Sequence, residues 1–210
     1  REKAGTERAA GFQLIGLPTS PIDLGRVTGR PGLVNIAGQM VGIGENEQPV
    51  ELTWPFGPNE GWTPGLRRIS ATRGDRERSC DYSLTTGAVC ELAFHTTNLD
   101  GLFASWLTGA LSKFLFWIDN IRAEANAPAI EFALAPQIVV LGKVAQLALY
   151  GARHFSSMDS YEIERGVWEF PIMSVAGREE FSDHLTRFDE DLWNLVGKDF
   201  QRTSIRFEIV

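Results

Sequence analysis

The chain has 210 residues, 43% of them hydrophobic, with 20 basic against 27 acidic side chains and a formal net charge of −7. That length and apolar share suffice for one ordinary globular domain with a buried core. The acidic balance argues against a large phosphate-tracking surface of the kind that dominates nucleic-acid affinity, and leaves room only for a local basic patch.

Residues 1–11, REKAGTERAAG, read as a linker or the end of a charged helix entering from something upstream, and 12–210 as a single domain. Phe12 to Leu17 predicts a first strand, stopped by Pro18 and Pro21. Gly25, Gly29 and Gly32 form a turn-rich connection and no phosphate loop, because the spacing G-x-x-x-x-G-K-[ST] is absent. Leu33 to Ile43 is apolar but broken by glycines and leans to strand, and Val50 to Trp54 predicts another. In the loop that follows, Trp62 is either a lid over the core or a ligand-stacking residue.

Leu66 to Arg73 reads as a strand, and Arg67, Arg68, Arg73, Arg76 and Arg78 make this the most basic stretch of the chain. Guanidinium forks suit phosphates and carboxylates, so an anion or nucleic-acid contact is one reading. Asp75 and Glu77 lie among them, and a solvated hairpin tip is the other. Residues 79–84 and 88–95 predict a hairpin about Thr85-Thr86-Gly87. Cys80 and Cys90 then share a face with Tyr82, Leu84, Leu92 and Phe94, as buried reduced thiols in a cytoplasmic protein.

The longest helical pattern runs from Leu99 to Ala125, with Asn98 or Asp100 as N-cap and an apolar stripe through Phe103, Trp106, Leu107, Ala110, Phe114, Trp117, Ile118 and Ile121. Phe116 falls on the otherwise polar side with Ser105, Ser112 and Asp119. Either another part of the chain covers it or it marks a partner or dimer surface. Asp100, Lys113 and Asp119 argue against a membrane span.

Beyond the helix, Ala129 to Leu141 predicts a strand bent at Pro136, and Val144 to Tyr150 a further strand. Residues 152–166 read as an irregular polar stretch, and Val167 to Val175 as an edge strand with Pro171. Arg178 to Val196 predicts a second helix, with Phe181, Leu185, Phe188, Leu192 and Leu195 on one face and Gly197 as C-cap, before a closing strand at Thr203 to Ile209. About nine strands in succession with two long amphipathic helices predict an α+β fold: a mixed, mostly antiparallel sheet with both helices packed on one face.

Little here suggests chemistry. His95, His154 and His184 are scattered, without HExxH, HxH or a carboxylate at ligand spacing, so no metal is expected; no GxSxG elbow or cofactor motif occurs either. Glu162, Glu164 and Glu169, with His154 and Arg153 nearby, come closest to an acid/base cluster, although alternate glutamates also describe an exposed strand face. Three readings result: a non-catalytic binding or assembly domain that engages a protein partner or itself, a nucleic-acid or anion contact module built on Arg67 to Arg78, and a small hydrolase using residues 153–169.

PTSPIDL (18–24) and LSKFLFWIDNIRAEANAPAIEFALAPQIV (111–139), with the strand, hairpin and helix succession between them, resemble the C-terminal regions of bacterial multidomain proteins that begin with a Schlafen-type AlbA_2 domain. The resemblance covers roughly residues 14–141. The AlbA_2 domain itself is not in this chain, so none of its nucleotide-binding residues carries over. The resemblance implies an accessory C-terminal domain of a bacterial, cytoplasmic defence or regulatory protein.

Overall fold

A computed structural model describes residues 9–34, 38–44, 47, 49, 50, 52, 54–57, 61–97, 101–150, 158–197 and 205–210. Among them β1 (Ala10–Pro18) is an interior strand of a large sheet, its Ala10, Phe12 and Leu14 turned to the core and alternating with residues that face the other way. β5 (Arg68–Gly74), β6 (Arg78–Thr85) and β7 (Cys90–Thr96) follow as an antiparallel meander, and β4 (Thr63–Gly65) closes that edge. On the other side of β1 runs β9 (Phe132–Tyr150), followed by β10 (Met158–Glu169) at the far edge. The order is β10-β9-β1-β7-β6-β5-β4, and β8 (Leu102–Phe103) and β11 (Met173–Val175) also pair with β9, giving nine strands. All pairs are antiparallel except β8 with β9. A small second sheet joins β12 (Arg206–Ile209), β2 (Met40–Ile43) and β3 (Pro49–Val50).

The helix α1 (Ala104–Glu124) lies against the large sheet, where Gly16 of β1 leaves room for Phe114 and Ile118. On its other sides it meets the 3₁₀ turn Pro31–Leu33, whose Leu33 carbonyl accepts the Trp117 indole N–H at 2.7 Å, and α2 (Phe181–Leu195). Phe181 of α2 packs edge-on against Phe116 at 5.3 Å, while Phe188 reaches Phe12 and Phe170. Asp119 holds the junction, accepting from Arg122 at 3.0 Å and from Arg178 at 2.6 Å. Burial of one large apolar side chain is worth about 1.5–3 kcal/mol, so this helix is the largest single contributor to the interior.

The expected α+β class is overturned. The structure is mostly sheet, 45% strand against 25% helix. The two helices are also not the expected pair of long amphipathic rods on one face: α1 is buried all round, with Leu111, Leu115 and Phe116 as hidden as Phe114 and Ile118, and α2 has only 15 residues. The strand content comes from two places. β9 is one continuous 19-residue strand in which Pro136 lies opposite Leu14, and β10 occupies much of the stretch read as irregular.

Smaller differences have local causes. Leu102 and Phe103, read as helix, are drawn into the sheet opposite Leu147 and Ala148, so α1 starts at Ala104 with no side-chain cap. The proposed caps Asn98 and Asp100 lie outside the described residues. Among the described residues, Leu33 to Ile43 is strand from Met40, and Val50 to Trp54 is strand at Val50 and not at Leu52 or Trp54. Among the described residues no helix is long and apolar enough to cross a membrane.

Candidate functional site

The outer face of the large sheet, opposite α1, is built from the residues that alternate with the core. Register sets Glu169, Gln137, Gln13, Ala93, Asp81 and Thr72 side by side across six strands. Ile15, Glu91, Ser83 and Ser70 form the next row, and Val139, Gly11, His95 and Ser79 the row on the other side. A hollow of about 470 Å³ opens here over the small residues Gly11 and Ala93. Gly11 is required where it stands, because a Cβ would come within 2.6 Å of the Phe94 carbonyl oxygen.

The polar side chains around the hollow are joined across strands. The Gln137 amide donates to Gln13 Oε1, Gln13 Nε2 donates to Glu91 Oε1 at 2.5 Å, and Ser83 Oγ to Glu91 Oε2 at 3.5 Å. Beside this chain, Thr72 Oγ1 donates to Asp81 Oδ1 at 2.7 Å, and His95 Nε2 stands 3.7 Å from Asp81 Oδ2. Two half-buried carboxylates, Glu91 and Asp81, are thus held in fixed orientations, with amide and hydroxyl groups about them. No catalytic triad or activated nucleophile accompanies them among the described residues, and none of their His, Cys, Asp and Glu side chains cluster in a group able to hold a metal ion.

The five arginines singled out in the sequence do not converge. Arg68 lines the hollow, whereas Arg67 sits in the β4–β5 turn at a positive φ of 54°. Arg76 is at the opposite end of β5, about 20 Å away for a strand of seven residues. Arg73 donates to the carbonyls of Gly57 and Thr72, and the Arg78 guanidinium lies over Trp106 and Phe103 at 5.1 and 5.7 Å. Asp75 builds the turn between β5 and β6 by accepting the N–H groups of Arg78 and Glu77, and those bonds hold its carboxyl below the usual carboxylate range.

Trp62 packs against Tyr82 and Trp117, at 6.3 and 5.9 Å, and forms one wall of an apolar cavity of about 320 Å³ between Val27, Pro31 and Ile69. Phe116 is 1% exposed, capped by Phe181 and by the Arg178 guanidinium, so it joins the two helices and is not a partner surface. Cys80 and Cys90 are free and fully buried, and burial pushes both thiols far above their ordinary range. Glu162, Glu164 and Glu169 are exposed on β10 at positions of a solvated strand face. Arg153 and His154, their expected companions, lie outside the described residues.

The sequence reading missed Gln13, Gln137, Glu91, Asp81 and Ser83 as a group. Each shows only as the polar member of an alternating pair, and register alone brings these five residues of four strands together. No family model matches the chain, and no curated protein or solved structure is significantly similar to it.

Proposed function

We propose that this chain is a non-catalytic binding domain, an accessory or sensor unit of a larger bacterial cytoplasmic protein, and that it meets its ligand on the outer face of the large sheet. One observation carries this reading: Gln13, Thr72, Asp81, Ser83 and Glu91 of four strands, fixed by cross-strand hydrogen bonds, line a hollow that neither helix covers. Such a preformed, polar, water-accessible hollow binds without rearrangement. Because its half-buried charges include Glu91 and Asp81, a small amine-bearing solute is the favoured class of ligand. The resemblance to regions that follow an AlbA_2 domain fits an accessory role.

Titration calorimetry with spermidine and with free arginine tests the proposal. Saturable binding is expected, weakened about tenfold or more in Glu91→Gln and Asp81→Asn, since a charge-assisted hydrogen bond contributes about 1.5–3 kcal/mol. Failure of both amines to bind, or binding that both variants retain unchanged, overturns the assignment. Salt-sensitive binding of a single-stranded oligonucleotide, lost when Arg67, Arg68, Arg73, Arg76 and Arg78 become serine, instead supports the nucleic-acid reading.

A further inference from the structure

β10 ends the large sheet, and among the described residues its outer edge pairs with no strand. It runs for twelve residues without a proline, and its charges and the register break between Glu164 and Gly166 guard it against indiscriminate pairing, so only a strand that matches both can add to it. Val167 and Trp168 are 58% and 37% exposed on it. Glu162, Glu164, Arg165 and Glu169 place both signs of charge along the same strand.

The register with β9 adds a second property. Tyr161 and Ile163 stand opposite Leu147 and Ala145 on the core side, but so do Gly166 and Trp168, opposite Val140 and Ile138, because the alternation slips between Glu164 and Gly166. Glu162, Glu164, Val167 and Glu169 therefore share the outward side. A strand whose two halves are out of phase in this way matches a reversed copy of itself.

We propose that β10 is a self-association edge, on which a second copy of this chain adds its own β10 antiparallel about a two-fold axis between Glu164 and Arg165. The facing pairs whose sides the register fixes then match: Tyr161 opposite Trp168 of the second copy, Ile163 opposite its Gly166, and Glu162 opposite its Val167. Glu164 faces Arg165 of the second copy twice, once on each side of the axis. A slip of two residues one way sets Glu162 against Glu169, and the other way sets core-side Ile163 against outward Glu164, which disfavours both alternatives. Main-chain bonds on either side of the Glu164 carbonyl, which already accepts from the Trp168 indole at 3.1 Å, supply the attraction, and the matching of sides together with the charge pattern supplies the register.

Light scattering coupled to size exclusion, over a concentration series, tests this. The wild type is expected to form a concentration-dependent dimer. Arg165→Glu and Glu164→Arg should each weaken it about tenfold or more, and the double exchange should restore it, because the pairs are then reversed but complementary. Val167→Lys, at a side chain already largely in solvent, should also give a monomer, with an unchanged far-UV spectrum as the check on folding. A wild type that stays monomeric throughout, or a dimer indifferent to both single charge reversals, overturns the proposal. Amine binding at the outer-face hollow is read separately, on the monomeric variants.

Discussion

The two faces of the large sheet use the same strands for opposite purposes. Toward α1, β6 and β7 present Cys80, Tyr82, Leu84, Cys90, Leu92 and Phe94, all buried, and aromatic rings run on through Trp54, Phe56, Trp106 and Trp117. Toward the outside the alternate positions carry Asp81, Ser83 and Glu91, hydrogen-bonded to side chains of neighbouring strands, and His95, 3.7 Å from Asp81, all left partly wet. The inner face is fixed by volume, so its tolerance for change is small. The outer face is fixed by direction, since each side chain is aimed by its neighbour, and that is what a recognition surface needs.

This contrast can be broken most severely from within. Trp117→Ala removes a fully buried ring and the hydrogen bond to Leu33, and should cost about 3–5 kcal/mol in urea denaturation; a loss below about 1 kcal/mol would show that α1 is not the centre of the interior. Gly16→Ala places a Cβ 2.7 Å from Cys90 Sγ and 3.2 Å from Phe114, and should cost about 1–3 kcal/mol. Combined with Cys90→Ala it should cost less than the two single changes together, because the atom it collides with is gone.

The thiols give a pH test of the inner face. Burial raises both pKa values in the folded state, so their contribution is fully present below the ordinary thiol pKa of about 8.5 and is lost as pH rises above it, where the unfolded chain alone ionises. Stability should therefore fall between about pH 8.5 and 10, and a Cys80→Ala/Cys90→Ala variant should show a shallower fall. A thiol reagent at about pH 8 should modify neither cysteine until denaturant is added. The smallest effect belongs to the outer face: Gln13→Ala should cost about 1 kcal/mol or less by thermal melting, since its partners remain open to water.

The sequence carried the inner face further than the outer one. The 3.6-residue period through Phe114, Trp117, Ile118 and Ile121 identifies α1, and the alternation about Thr85-Thr86-Gly87 identifies the hairpin with both cysteines inward. Phe116 falls off the helical stripe because a wheel assumes one buried side, whereas Phe181 covers the other; of its two readings, cover by another part of the chain holds. The start of α1 was missed because pairing with Leu147 and Ala148 overrides the helical preference of Leu102 and Phe103. Only the last residues of β10 fall in the predicted edge strand, because its first part carries Glu162 and Glu164 where a loop as well as an exposed strand face would carry them. The hollow was invisible for a different reason: Gln13, Asp81 and Glu91 are far apart in the chain, and only the register of β1, β6 and β7 makes them neighbours.

The central claim, that the outer face is the working surface, is tested most directly by titrating spermidine into ¹⁵N-labelled protein and following amide chemical shifts. The account predicts progressive, saturable shifts at residues about the hollow, in β1, β6 and β7 near Gln13, Asp81, Glu91 and His95, with α1 and α2 unmoved. Shifts confined to another surface, or none at all up to millimolar ligand, would contradict it.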